Sequence, residues 1–409
     1  MIEEFANKLS ILVLKKGINL KKGQCLNIVV GPKSYEYAQV MAKKAYEFGA
    51  RYVNISINDA RLTGARSIYQ NEKEDLEFVP SFLKNADYEF IAENWARIRI
   101  DSGEDRIDDF ESDMEKSQTI TKAIRKSGKE YSEKTMSNEL SWNVCAVPGP
   151  MWAKKIMGEN ATEEDLAKVM SRILRLDNDD YLGAWDDFDK TSKKRSSWLN
   201  GLKVKSLHYK SPVTDFKIGF RKNARFCGGS GMLKDGSEFF ANLPTEEIFA
   251  TPDFRTASGY ITTTRPVRVL DHETRGVTLF FEKGGVVDVK AKQGLDIMKK
   301  YLAIDDGAKR IGEVALVDES SPIAQSGLVF GSILIDENAS CHIALGAGYT
   351  ECFDVDKPLV TDEDKINAGC NISLVHTDFM VGGKDLDIIA TTYDGKEIKI
   401  LDKGHFTLK

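Results

Sequence analysis

The sequence predicts two domains of different class: an α/β domain with a mostly parallel sheet over residues 1–200, then an α+β, largely antiparallel domain over residues 201–409. Three observations carry this. The chain is 409 residues long, which at about 150 residues per domain corresponds to two or three domains. Its first half alternates amphipathic stretches with short apolar runs, the pattern of β-α-β units. Its second half consists of short, β-branched, often alternating segments between Gly-rich turns, which suits an antiparallel sheet.

In the first half, Ile2, Phe5, Leu9 and Leu12 recur at helical spacing. Gly17 and Gly23 then punctuate the chain before the apolar run Cys25–Val30, which reads as a buried strand. Ser34 is placed to cap a helix carrying Ala38, Met41, Ala45 and Phe48, which ends at Gly49 before a strand at Tyr52–Ser56. A later strand is expected at Ser141–Val147, closed by Pro148-Gly149-Pro150. Thr162 caps a helix with Leu166, Val169, Met170, Ile173 and Leu174 on one face. Asp177–Lys205, rich in Asp, Lys and Ser, reads as a helical connector. The second half offers strands at Val267–Leu270, Gly276–Phe281 and Val286–Val289, and one helix at Leu295–Leu302. There is no internal repeat and no low-complexity tract.

Composition narrows the function. Hydrophobic residues make up 42% and charged residues 29%, ordinary for a globular protein able to bury a core without staples. The net charge of -6 gives no electrostatic drive toward nucleic acid or an anionic membrane. The chain shows no secretory signal and no apolar run near the roughly 18 residues of a membrane span, so a cytoplasmic protein is expected. Cys25, Cys145, Cys227, Cys341, Cys352 and Cys370 are scattered without a Cys-x-x-Cys pair, which argues against a disulfide framework. The Asn-x-Ser/Thr triplets at Asn160, Asn338 and Asn371 read as chance matches.

Metal-ligand chemistry gathers in the second half. There are only five histidines, His208, His272, His342, His376 and His405. His376 and Asp378 are two residues apart, so on a strand both side chains face one way and can converge on one ion. His342 precedes Tyr349 by a Gly-rich stretch able to fold the tyrosine back toward it. Glu247 stands in Asn242-Leu-Pro-Thr-Glu-Glu-Ile-Phe249, directly before an expected turn. Glu313 heads the apolar run Gly312-Glu-Val-Ala-Leu-Val317, where a carboxylate is costly unless paired or metal-bound. Imidazole with carboxylate suits zinc, cobalt or manganese. The bland readings are hydrogen-bonded core histidines, solvated turn charges at Glu246-Glu247, and a Glu313–Arg310 ion pair. From the residues alone, the reading stops at a metal site in the C-terminal half.

Other motifs fail. His272-Glu273 begins like a zincin helix, but Gly276 stands where the second histidine belongs. Gly228-Gly-Ser-Gly-Met232 lacks the last glycine of a nucleophile elbow. A structural zinc site from Cys341, His342, Cys352, Cys370 and His376 fits no closed module, because Cys341 and His342 point to opposite faces of a strand. No Walker A or Gly-x-Gly-x-x-Gly motif is present, which argues against a nucleotide-dependent enzyme.

Four stretches together carry a family resemblance: Asn242–Pro252, Asp306–Leu316, Gly331–Gly346 running on to Tyr349, and Asn371–Met380. With them, the chain resembles the thermophilic metalloprotease family of aminopeptidases, the aminopeptidase T and aminopeptidase S type, over its whole length. The resemblance implies a C-terminal catalytic domain holding two divalent metal ions. Carried onto matching positions, it implies Glu247, Glu313, His342, His376 and Asp378 as ligands, with Tyr349 at the same site. The family often has Gly-Glu where this chain has Glu246-Glu247, and Glu247 is assigned by its distance from Ile248-Phe249. The resemblance further implies a homodimer and peptide substrates with a free N-terminus. The expected chemistry is hydrolysis by a metal-activated water. In it Glu313 bridges the ions, because it heads a buried strand, and Tyr349 ligates a metal or donates to the oxyanion. Two competing readings are another metal-dependent amide hydrolase and a non-catalytic binding protein stabilised by metal.

Overall fold

Phe5, Leu9 and Leu12 share one face of helix α1 (Ile2–Leu12) and are buried, as their spacing predicts. This computed structural model describes residues 1–106, 110–270 and 272–408, and it divides into two units. The first comprises Met1–Trp185 with Ser230–Pro244; the second comprises Asp186–Gly229 with Thr245–Lys409.

The first unit is built on a parallel sheet of β1 (Cys25–Val30), β2 (Tyr52–Ile57), β3 (Ala96–Asp101) and β4 (Trp142–Ala146), with the two-residue strand Asn242–Leu243 added beside β4. The spatial order runs from Asn242–Leu243 through β4, β3 and β1 to β2, all parallel. Leu26, Ile28, Val30, Ile98 and Ile100 are buried, as expected of parallel strands covered by crossover helices.

Helix α2 (Tyr35–Glu47) corrects one expectation. Ser34 precedes it but makes no side-chain cap. Its backbone (φ -103°, ψ 10°) continues the short turn Pro32–Ser34 instead of adopting the extended conformation that an N-cap needs. Its hydroxyl donates to Asp105 Oδ2 at 2.7 Å. Thr162 behaves as expected: it forms a reciprocal capping box with Asp165 at the start of α3 (Glu163–Ile173). The expected connector is helix α4 (Tyr181–Leu202), and the division between the units falls within it.

The second unit holds an eight-stranded antiparallel sheet. Its order is Gly285–Lys290, Thr278–Glu282, Ser258–Thr262, Thr214–Gly219, Val204–Ser211, Asp387–Thr392, Glu397–Asp402 and His405–Phe406. A five-stranded antiparallel sheet shares its core. It contains β5 (Cys227–Gly228), β6 (Glu247–Ala250), β7 (Ile311–Val317), β8 (His342–Gly346) and β9 (His376–Met380), in the order β9-β8-β7-β6-β5. The expected strand at Val267–Leu270 ends at Val269, where Leu270 takes a left-handed conformation (φ 47°). Helix α5 (Leu295–Leu302) forms where expected, and the Tyr301 hydroxyl donates to the Leu345 carbonyl of β8 at 2.8 Å.

Candidate metal centre

The five-stranded sheet separates two chemistries by the period-two alternation of its strands. Ile248, Val314, Leu316, Ile343, Leu345 and Phe379 point into the hydrophobic core. The opposite face follows from the register. His342, Ala344 and Gly346 of β8 pair with Met380, Asp378 and His376 of β9. Across to β7, His342 and Ala344 pair with Ala315 and Glu313; on the other side of β7, Ala315 pairs with Phe249 of β6, and Glu247, on the same face, pairs with Val317. All five carboxylate and imidazole residues singled out in the sequence therefore share one face. Glu247 opens a strand and does not precede a turn as expected. Ala315 and Ala344 are the small residues between them, and both are buried.

Glu313 reaches that face only because of a bulge. Ile311 pairs with Leu345 on the core face, and a regular strand would put Glu313, two residues on, on the core face too. The register shifts between Ile311 and Glu313, so Glu313 pairs with Ala344 instead. Gly312 is the inserted residue. A Cβ there would lie 2.3 Å from the Ala347 carbonyl oxygen and 2.4 Å from that of Gly346, so only glycine fits without moving backbone.

The ligand atoms form two overlapping groups. Glu247, Glu313 and His342 each bring one within 4.8 Å of the others, and Glu313, His376 and Asp378 do the same. His342 Nε2 lies 3.1 Å from Glu247 Oε2 and 4.0 Å from Asp378 Oδ1. His376 Nε2 lies 3.2 Å from Glu313 Oε2 and 3.4 Å from Asp378 Oδ1. Each ring is anchored through its other nitrogen: His376 Nδ1 faces the Ala347 carbonyl at 2.7 Å, and His342 Nδ1 that of Ser340 at 3.3 Å. A carbonyl only accepts, so Nδ1 carries the proton and Nε2 is turned to the centre, as in metal-ligating histidines.

Electrostatics agree with a site built for a cation. Burial pushes the Glu313 carboxyl up to about 7, although His376 opposes this. Burial disfavours a charged His342, yet the neighbouring carboxylates, Glu247 first and then Asp378 and Glu313, raise it to about 10. His376 is likewise held well above its ordinary value against burial, by Asp378 and Glu313. Glu247 Oε2 and Asp378 Oδ1 are buried with no hydrogen bond of acceptable geometry, despite the nearby ring nitrogens. Buried carboxylate oxygens left in this way are expensive, and a divalent cation would satisfy them. Hard oxygen donors with imidazole nitrogens are the donor set such an ion takes. The residues fit the metal.

The remaining expectations resolve as follows. The turn after Gly346 delivers the Tyr349 hydroxyl to His376 Nε2, at 3.3 Å, where His342 was the expected neighbour. Gly346 pairs with His376, and the chain leaves β8 over β9. Arg310 stacks on Phe254 and does not pair with Glu313. Glu246 is buried and its backbone N–H donates to Asn338 Oδ1 at 2.7 Å, so Glu246-Glu247 is not a solvated turn.

Sequence reasoning missed three participants. Gly312 is one. Phe249, two residues after Glu247 and on the same face, packs edge-on against Tyr349 with ring centroids 5.8 Å apart. Glu337 is a further carboxyl at the centre: burial, then Asp378 and Glu247, hold it well above its ordinary value, and it hydrogen-bonds Asp378. Its position in Asp336-Glu-Asn338, just before the apolar strand β8, was the available signal.

The chain is similar to known proteins over its whole length. Residues 2–406 match the model of the thermophilic metalloprotease family, M29. Aminopeptidase 2 of Geobacillus stearothermophilus is 33% identical over 100% of this chain and 98% of its own length. Aminopeptidase PepS of Streptococcus thermophilus is 32% identical over 99% of this chain and 98% of its own. The solved structure of wild-type AmpT from Thermus thermophilus superposes with a TM-score of 0.89 at 28% identity, covering 100% of both chains.

Proposed function

The chain belongs to the thermophilic metalloprotease family, M29, and from that premise we propose that it is a metal-dependent aminopeptidase, removing the N-terminal residue from peptides with a free amine. The observation that carries the reading is the pair of ligand groups sharing Glu313 on one sheet face, with two carboxylate oxygens buried unsatisfied. In our reading the catalytic segment is residues 201–409, and its cofactors are two divalent ions, zinc, cobalt or manganese. Glu247, Glu313 and His342, with Glu313, His376 and Asp378, are the residues that would hold them. Divalent ions held there would lower the pKa of a water nucleophile and polarise the scissile carbonyl.

The chain's own residues supply the rest. Hydrogen bonds from Nδ1 to backbone carbonyls fix both imidazoles in the ligating tautomer. Glu337 donates to Asp378 and orients its carboxylate. Burial, reinforced by Glu313, holds the Tyr349 phenol well above its ordinary value, so it stays protonated and available as a donor to the oxyanion. Phe249 supports the phenol ring from the side. A homodimer, which rests on the family resemblance, and a cytoplasmic location belong to the same reading.

The test is hydrolysis of a series of aminoacyl-p-nitroanilides by purified protein, stripped with a chelator and resupplied with cobalt, zinc or manganese. Activity should vanish on stripping, return with metal, and be absent on N-acetylated substrates. Equal turnover of N-acetylated substrates would make the protein a different amide hydrolase. No turnover with metal bound would leave a metal-stabilised binding protein.

A further inference from the structure

All six cysteines are free thiols, and two of them meet beside the metal centre. Cys227 lies on the edge strand β5, opposite Phe249 of β6. Cys352 closes the short turn Thr350–Cys352, which begins directly after Tyr349. The segments that carry them run antiparallel. Ala224 bridges Phe353, the Arg225 N–H donates to the Cys352 carbonyl at 2.8 Å, and the Asp354 N–H donates to that of Asn223 at 2.8 Å. Arg225 and Cys352 are therefore opposite each other. Cys227, two residues on, is the diagonal neighbour of Cys352 on the same side. The two thiols are in hydrogen-bond contact.

Their environments differ in the way a redox pair requires. Cys227 is partly exposed and Cys352 is buried. The hydrogen bond from Cys352, helped by Arg225, lowers the Cys227 thiol below its ordinary value against burial. Burial, then the same hydrogen bond, holds Cys352 well above it. An accessible, more acidic thiol next to a buried resolving thiol is the arrangement of reversible disulfide sites. A transient redox role is also the usual one for a disulfide in a reducing compartment.

We propose that Cys227 and Cys352 form a reversible disulfide, a modification site that couples thiol oxidation to the position of Tyr349. The oxidant class is a small-molecule disulfide such as oxidised glutathione. The Cys227 thiolate attacks one sulfur of that disulfide and expels the other as a thiolate, leaving a mixed disulfide on Cys227. The Cys352 thiol gives its proton to the expelled thiolate, and its sulfur attacks Cys227 Sγ, releasing the second small group as a thiolate, which takes up the proton Cys227 lost to solvent on ionising. Two protein thiols are oxidised and one external disulfide is reduced to two thiols. The new bond ties β5 to the turn that starts at Tyr349. It pulls on the phenol whose hydroxyl now sits 3.3 Å from His376, and on Phe249, which packs against that phenol.

The site is tested on the full-length protein with oxidised glutathione, reading free thiols with a maleimide and mapping non-reduced peptides by mass spectrometry. The expected result is loss of two of the six thiols, with the Cys227 and Cys352 peptides joined and the pair restored by dithiothreitol. Cys227→Ser and Cys352→Ser should each abolish the joined peptide; using both guards against one variant misfolding. Six persisting thiols, or a cross-link elsewhere, overturns the proposal. The coupling arm rests on the aminopeptidase reading. There, p-nitroanilide turnover should fall on oxidation, return on reduction, and resist oxidant in both serine variants. An equal fall in the variants, or a cross-link without loss of turnover, overturns the coupling. The thiol readout needs no activity, so failure of the peptidase reading leaves it decidable.

Discussion

The two faces of the five-stranded sheet come from the same strands and differ in almost everything else. On the core face, Ile248, Val314, Leu316, Ile343, Leu345 and Phe379 gain stability by leaving water. On the other face, Glu247, Glu313, His342, His376 and Asp378 crowd charge into a buried space, which destabilises unless a cation is bound. The sheet's core face fixes the strands, so the opposite face can hold a costly donor set in place. A lesion on the core face should reduce stability first, and a lesion on the site face should reduce metal binding and turnover first.

The largest effect should come from Glu313→Gln. Glu313 belongs to both ligand groups, so neutralising it weakens both at once. Turnover should fall to background, and metal content by elemental analysis should drop by more than it does for Glu247→Gln, which belongs to one group only. Equal metal loss in the two variants would break the claim that Glu313 is shared.

Gly312→Ala crosses from one face to the other without touching a ligand. The added methyl must displace the carbonyls of Gly346 or Ala347, which costs about 1–3 kcal/mol as overpacking. If the bulge straightens, Glu313 turns toward Ile343 and the core. The variant should therefore lose thermal stability and metal together. By contrast, Leu316→Ala on the core face should cost about 2–5 kcal/mol while the surviving folded protein keeps its metal. A Gly312→Ala variant with full metal content would show that the bulge does not place Glu313.

Tyr349→Phe should touch turnover alone. Removing one oxyanion donor typically costs about 10²–10³ in turnover. Because the phenol is held well above its ordinary value by burial and the carboxylates around it, it stays protonated and is a donor, not an anionic ligand, so metal content should persist. Loss of metal in this variant would make Tyr349 a ligand.

The same comparison explains what was legible in the sequence. Strands, the Leu295–Leu302 helix and the His376–Asp378 pair follow from alternation and spacing, which are local. The five-residue donor set was assembled by family resemblance, because no spacing rule brings Glu247, Glu313 and His342 together; their meeting depends on cross-strand register. The Gly312 bulge was illegible for that reason. A glycine before a glutamate carries no sign that the strand slips by one residue against β8. Tyr349 was expected at His342 because both are near in sequence, whereas the chain leaves β8 over β9 and meets His376. The pairing of Asn242–Leu243 with β4 joins residues about a hundred positions apart through a strand of two residues, too short to leave a pattern.

The last test is a pH dependence confined to the charged face, and its sign separates the two faces cleanly. In metal-free protein, Glu313 is raised from 4.5 to about 7. Its contribution is fully present below about 4.5, where it is protonated in both states, and is lost as pH rises through about 7. His342 is raised from 6.5 to about 10, so its contribution is fully present below about 6.5 and is lost as pH rises through about 10. Both act in the same direction: chelator-treated protein should melt at progressively lower temperature from pH 6.5 to pH 10. Metal binding uses the deprotonated forms, so the rise in melting temperature on adding metal should grow over the same range, with protons released on binding. Titration in buffers of different ionisation enthalpy reads that release directly. In Glu313→Gln the step near pH 7 should disappear while the slope toward pH 10 remains; in Leu316→Ala the whole curve should shift down without changing shape. A metal-induced increment that stays flat from pH 6.5 to 10 would mean that protons and metal do not compete at this face, and the donor set would have to be reassigned.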